Sequence, residues 1–158
     1  MRIKDFMTQP VVSCSADSSL DVPARLMWEC DCGVVVLTDR DGRLAGVVTD
    51  RDVAMAALLQ NKPLRELPVS SAMAHNVAFC HVGDMLEAVE QVMRESRVRR
   101  VPIVDDDRKP VGIVSLNDLA RFADRSHKQA IDRALITTLS AVSQPRFDSS
   151  PASRLPKP

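Results

Sequence analysis

Apolar residues recur along this chain with two different periods, and the same order of periods is used twice. A short apolar stretch at 11–14 is followed by Leu20, Ala24 and Met27 at helical spacing, then by the unbroken run Val34-Val35-Val36-Leu37-Thr38. The order returns with a stretch at 77–80, then Leu86, Val89 and Met93, then Val101-Pro102-Ile103-Val104. Spacings of three and four predict helices with one buried stripe, and the β-branched runs predict strands. A polar turn follows each run, at 39–43 and 105–109, and leads into Gly46-Val47-Val48 or Gly112-Ile113-Val114, which predicts a hairpin. A second helix opens at Thr49 or Ser115 and runs through Val53, Ala54 and Ala57, or through Leu119, Ala120 and Ala123.

The two halves superimpose without a gap when the sequence is slid on itself by 66 residues: Met7 falls on Met73, Cys14 on Cys80, Met27 on Met93, Gly46 on Gly112 and Asp52 on Asp118. Ser18 to Asp21 and Asp84 to Glu87 each place a capping residue three positions before a carboxylate, the signature of a helix start. Pro23 sits awkwardly in the first of these helices, because it removes a backbone donor. One such unit buries too little surface to stand alone, so the two should pack together. The expected fold is therefore α/β (α+β), with two β-α-β-β-α repeats about a pseudo-twofold axis. Residues 1–60 form the first repeat, 61–70 a Pro-containing connector and 71–124 the second repeat. Ile131, Leu135, Leu139 and Val142 predict an amphipathic C-terminal helix over 125–144. The Pro- and Ser-rich residues 145–158 are expected to be a disordered tail.

Lys plus Arg and Asp plus Glu both number 21, which gives no broad basic face for nucleic acid or for a membrane surface. One Trp, four Phe and no Tyr leave few platforms for stacking bases. No apolar run reaches signal-peptide or bilayer-spanning length, so a soluble cytoplasmic protein is expected, with its four cysteines reduced and no disulfide. Cys30-Asp31-Cys32 with Cys80-His81 invites a metal reading, but the spacing departs from CxxC, and Cys14 and Cys80 occupy equivalent positions as small core residues would. No metal site is expected. Trp28 is expected to be buried or at a subunit contact. Neither a Gly-rich phosphate loop nor HExxH nor GxSxG occurs, and the three histidines are scattered, so no catalytic residues are assigned and the chain is read as a non-enzyme.

GVVTDRD at 46–52, RVRRVPIVD at 97–105 and GIVSLND at 112–118 carry a resemblance to the CBS domain pair, or Bateman module, over roughly residues 1–124. That resemblance implies an adenine nucleotide as regulatory ligand (AMP, ADP or ATP, with S-adenosylmethionine as a further possibility) in composite sites between the repeats, and no other cofactor. It also implies homodimerisation through helical faces and signalling to a separate, unnamed protein partner. In the family the last Asp of the Gly-apolar-x-Thr/Ser-x-x-Asp motif holds ribose hydroxyls. The matching residues here are Thr49 with Asp52 and Ser115 with Asp118, which are equally ordinary helix capping boxes.

The family's phosphate-holding positions fall on Arg99 and Arg100, whose guanidinium groups suit phosphate oxygens, while Arg94 and Arg97 are expected to complement the end of the preceding helix and stay solvated. The main site is accordingly expected to combine Met7, Val12 and Cys32 with Arg99, Arg100, Ile113, Ser115 and Asp118. The second, weaker site combines Met73, Ala78 and Val98 with Val47, Thr49, Arg51 and Asp52, since Gly33 and Val34 stand where the arginine pair would be. Two other readings stay open at this point: a ligand-free dimerisation or interaction module, and a metal- or redox-responsive protein.

Overall fold

The computed structural model describes residues 1–126 and 129–144. The first half runs β1 (Ser13–Ser15), α1 (Asp21–Glu29), β2 (Val34–Thr38), β3 (Leu44–Thr49) and α2 (Asp50–Gln60). The second runs β4 (Cys80–His81), α3 (Leu86–Ser96), β5 (Arg100–Val104), β6 (Pro110–Ser115) and α4 (Leu116–Ser126), followed by α5 (Gln129–Val142). From β2 to α2 and from β5 to α4 the element boundaries coincide at the 66-residue offset. Each half is a three-stranded sheet, ordered β1-β2-β3 or β4-β5-β6, with a parallel first pair joined through a helix and an antiparallel hairpin as the second pair. Among the described residues no helix is long and apolar enough to cross a membrane.

Alternation of side chains along the strands divides the apolar residues between two layers. Val35, Leu37 and Val48 pack with Leu20, just before α1, and with Met27, Val53 and Ala56 of the helices, and Val101, Ile103 and Val114 pack with Leu86, Val89, Met93 and Leu119. On the opposite face Val36, Leu44 and Val104 form a third cluster with Val11, Val47, Phe79 and Ile113, drawn from both halves. β2 is thus buried on both sides, which is why it reads as an uninterrupted apolar run rather than an alternating one.

The leading segments of the two repeats are exchanged. Ile3, in the 3₁₀ turn Ile3–Asp5, is fully buried in the core of the second half, and Thr8 pairs with Ile113 of β6. Val69, its equivalent in the turn Val69–Ser71, is buried in the first half, and Ala74 pairs with Val47 of β3. Residues 61–70 are therefore more than a tether. Leu67 is buried, and its carbonyl accepts from the Leu20 N–H at 2.8 Å.

Several local expectations are corrected. Neither α1 nor α3 has a side-chain cap. The Ser19 hydroxyl donates instead to Asp21, the Leu20 N–H is already used by Leu67, and the Asp84 carboxylate accepts from the His81 N–H to close the turn after β4. Because α1 starts at Asp21, Pro23 lies in its first turn, where a missing N–H leaves no broken helix bond. The first strands begin later than the apolar stretches, at Ser13 and Cys80, since the residues before them cross toward the opposite half. The C-terminal helix is separate from α4, which continues to Ser126, and residues 127, 128 and the expected tail at 145–158 lie outside the described residues. α5 packs on α3 and α4, and Arg94, expected to be solvated, is half-buried beneath it and donates to the Thr138 hydroxyl at 2.9 Å. Trp28 is 88% exposed rather than buried in the chain.

Candidate functional site

Ser115 ends β6 on the face that looks toward the other half, and Arg100, first in β5, is its cross-strand neighbour. The strand-to-helix junction then fixes the carboxylate that follows. Asp118 Oδ2 accepts from the Ser115 N–H at 2.7 Å and from its hydroxyl at 2.5 Å, while the Ser115 Oγ in turn accepts from the Asp118 N–H at 3.2 Å. This is a reciprocal capping box. Asp118 is only 5% exposed, and its second oxygen is engaged as well: Oδ1 accepts from the Thr8 hydroxyl at 2.9 Å and from the guanidinium of Arg121, one turn further along α4.

Thr8 arrives from the exchanged N-terminal segment, and its N–H and C=O pair with Ile113 at 2.9 and 3.0 Å. Close approach of that segment to β6 explains Gly112, since a Cβ there would lie 2.6 Å from the Met7 sulfur. Met7 and Ile113 are therefore brought together. Cys32 comes near from the first half: its thiol contacts the Val34 carbonyl, and burial pushes its pKa up while the positive charge of Arg100 pulls the other way. Arg100 reaches over Gly33, where an added Cβ would lie 3.5 Å from its guanidinium and 3.0 Å from the Asp50 carboxylate. Val12 instead packs into the core of the first half, its carbonyl accepting from Val36. The Arg99 side chain is exposed, and its carbonyl accepts from the Leu116 N–H.

The same junction in the first half is chemically different. Asp52 Oδ2 accepts from the Thr49 N–H at 2.9 Å and its hydroxyl at 2.6 Å, but Oδ1 has no donor among the described residues. Ala74 stands where the second site has Thr8, and Met55 where it has Arg121. Met73 packs against Gly46, and Val47 pairs with Ala74 beside them. Val98 packs on the core of the second half, and Ala78 is half-buried. Arg51 is exposed, and its side chain makes no hydrogen bond or ion pair among the described residues.

A cleft of about 310 Å³ opens beside Asp118, between the 5–8 segment and α4. Met7 and Asp118 of the expected set line it, together with Thr8, Arg121, Phe122 and Arg125, whereas Arg99 and Arg100 lie outside its walls. Phe6 and Phe122 stack at 5.5 Å across one side. Thr8 and Arg121 were absent from the sequence-derived set, although the i, i+3 spacing of Asp118 and Arg121 was readable as a helical charge pair. Nothing local marks Thr8, because its partner is 110 residues away.

The sequence profile of the CBS domain matches residues 3–59 and again 66–125. The chain belongs to the CBS domain family. It is 35% identical over 118 residues to the CBS domain-containing protein YhcV of Bacillus subtilis, covering 75% of this chain and 82% of that one. Its backbone superimposes with a TM-score of 0.71 on the CBS domain pair of protein MJ0100 in complex with 5′-methylthioadenosine and S-adenosyl-L-methionine, at 27% identity over 80% of this chain and 98% of the other. The CBS domain protein PAE2072 of Pyrobaculum aerophilum, complexed with AMP, gives a TM-score of 0.70 at 25% identity, covering 87% and 99% of the two chains. Matches to multidomain enzymes are partial. The L-aspartate semialdehyde sulfurtransferase of Methanocaldococcus jannaschii is 28% identical, but only 23% of its length is covered. CBS domain pairs are generally regulatory and not catalytic. Among the described residues no three His, Cys, Asp or Glu side chains converge as a metal centre would require.

Proposed function

We propose that this CBS pair is a regulatory module that binds an adenine nucleotide between its halves and passes the resulting change in their relative angle to a partner protein. The observation that carries this reading is the Ser115–Asp118 junction, which faces the opposite half, receives Thr8 from it and stands across the hairpin from Arg100. Ribose would be held at Asp118 and phosphate at Arg100, with Arg99 beside it, because paired guanidinium donors match phosphate oxygens. Met7, Cys32 and Ile113 would border the adenine, and Asp52 with Thr49 would supply the second site. The AMP and S-adenosylmethionine complexes of related pairs support the ligand class.

Calorimetric titration with AMP, ADP, ATP and S-adenosylmethionine tests the proposal. Saturable heat that falls at least tenfold in affinity in Arg100→Ala and Asp118→Ala is the expected result. Unchanged affinity in both variants would remove Arg100 and Asp118 from the site. Saturable zinc binding or thiol-dependent association without any nucleotide response would replace the nucleotide reading altogether.

The module is also proposed to act as a homodimer through α1 and α2, where Trp28 of the first helix and Leu58 and Leu59 of the second are exposed. α5 covers the equivalent helices of the second half, so this bare face is the one left for a second copy. Light scattering should report a dimer that Leu58→Glu converts to monomer; a monomeric parent chain would end this part of the proposal.

A further inference from the structure

The geometry points to Arg121 as a gate on the second-half site: its guanidinium occupies the carboxylate edge that a ribose diol needs, so a neutral adenosyl ligand binds there only by displacing it. This rests on the nucleotide-binding reading above.

A carboxylate offers about four acceptor positions, and Asp118 has four donors on it already. Two come from the Ser115 N–H and hydroxyl, which belong to the start of α4 and cannot leave without undoing the capping box. The other two, on Oδ1, are the Thr8 hydroxyl and Arg121. Of these Arg121 is the one with open space beside it. Its side chain is 63% exposed, sits on one helix turn and borders the 310 Å³ cleft into which it can rotate. Thr8, by contrast, is held by two backbone hydrogen bonds to Ile113.

The first half gives the ungated reference within the same molecule. Met55 and Ala74 replace Arg121 and Thr8, and Asp52 Oδ1 stands open among the described residues. A diol arriving at Asp118 must break an ion pair between two full charges, and brings only uncharged donors in exchange. An anionic ligand recovers part of that loss, because the released cation stays within its field. Neutral adenosine recovers none. The gate thus makes this half prefer phosphorylated adenosine, separately from any direct phosphate contact at Arg99 and Arg100.

The test is calorimetric titration of adenosine and AMP into Asp52→Ala protein, so that only the second half responds, with Arg121→Met and Arg121→Lys added. Arg121→Met installs the side chain of the first half. It is expected to raise adenosine affinity about tenfold and to narrow the preference for AMP by a similar factor, a change of roughly 1.4 kcal/mol. Arg121→Lys keeps the cation and should stay near the Asp52→Ala parent. Adenosine affinity that is unchanged or lower in Arg121→Met overturns the gate alone, because Arg121 is then a helix-surface pair or a ligand contact. Absence of heat from both ligands in the parent and in Arg121→Met overturns the gate and the nucleotide reading together.

Discussion

Among the described residues Asp52 keeps one oxygen open where Asp118 has both engaged, although the capping boxes around them are built from the same backbone at a 66-residue offset. The helices differ in the same sense: α3 and α4 lie under α5, while α1 and α2 leave Leu58, Leu59 and Trp28 exposed. Duplication therefore preserved the frame and let the chemistry diverge at single positions. Met55 against Arg121 and Ala74 against Thr8 are the differences that engage the second oxygen of Asp118.

The largest break in this comparison should come from the exchanged anchors. Ile3→Ala removes a fully buried side chain from the second-half core and should lower stability by about 3 kcal/mol, within the usual range for such truncations. Val69→Ala removes a smaller anchor from the first half and should lower it by about 2 kcal/mol. Urea denaturation measures both, and equal losses below about 0.5 kcal/mol would mean that the leading segments are not structural.

Next in size are the carboxylates. Asp118→Ala leaves Thr8 and Arg121 without their acceptor and deprives α4 of its cap, so a loss of about 2 kcal/mol is expected. Asp52→Ala loses a capping box alone and should cost about 1 kcal/mol. Equal losses in thermal melts would show that Oδ1 of Asp118 contributes nothing to folding.

Glu90 sharpens the contrast further. It is buried beside α5, where the first half has Ala24, and burial pushes its carboxyl pKa up, with Glu87 adding to the rise and Arg94 opposing it. A carboxyl whose folded-state pKa is raised contributes stability at low pH and loses it as pH climbs from the unfolded value through the folded one. Glu90→Gln should therefore gain on the parent chain as pH rises from the ordinary carboxylate range upward. A difference in Tm that stays flat across that range would contradict the burial effect.

The smallest effect concerns the paired cysteines. Burial pushes the Cys80 thiol up to about 11 and raises that of the half-buried Cys14 as well. Alkylation requires thiolate, so at pH 8 the exposed Cys30 should react first and Cys80 last. Mass spectrometry of partially labelled protein reads this order directly.

How much of this was legible in the sequence depends on the range of the interaction. The hairpins, the second helices and both Thr/Ser-x-x-Asp boxes were readable because they are made by neighbours in the chain. The exchange of leading segments was not, since Ile3 carries no mark distinguishing one core from the other and its packing partners lie about 80 residues or more away. The same holds for Thr8 on Asp118. The capping signals before α1 and α3 misled because Leu67 and the β4 turn claim those groups first, a competition no local pattern contains.

The traded anchors also bear on how the molecule can be cut. A protease nick at the exposed residues Lys62 and Pro63 would yield two pieces, each holding the wedge that fills the other's interior. Neither fragment could settle by itself, yet the pair should reassemble when mixed, as interlocked pieces do. The two halves are thus interlocked: they cannot part without emptying both cores.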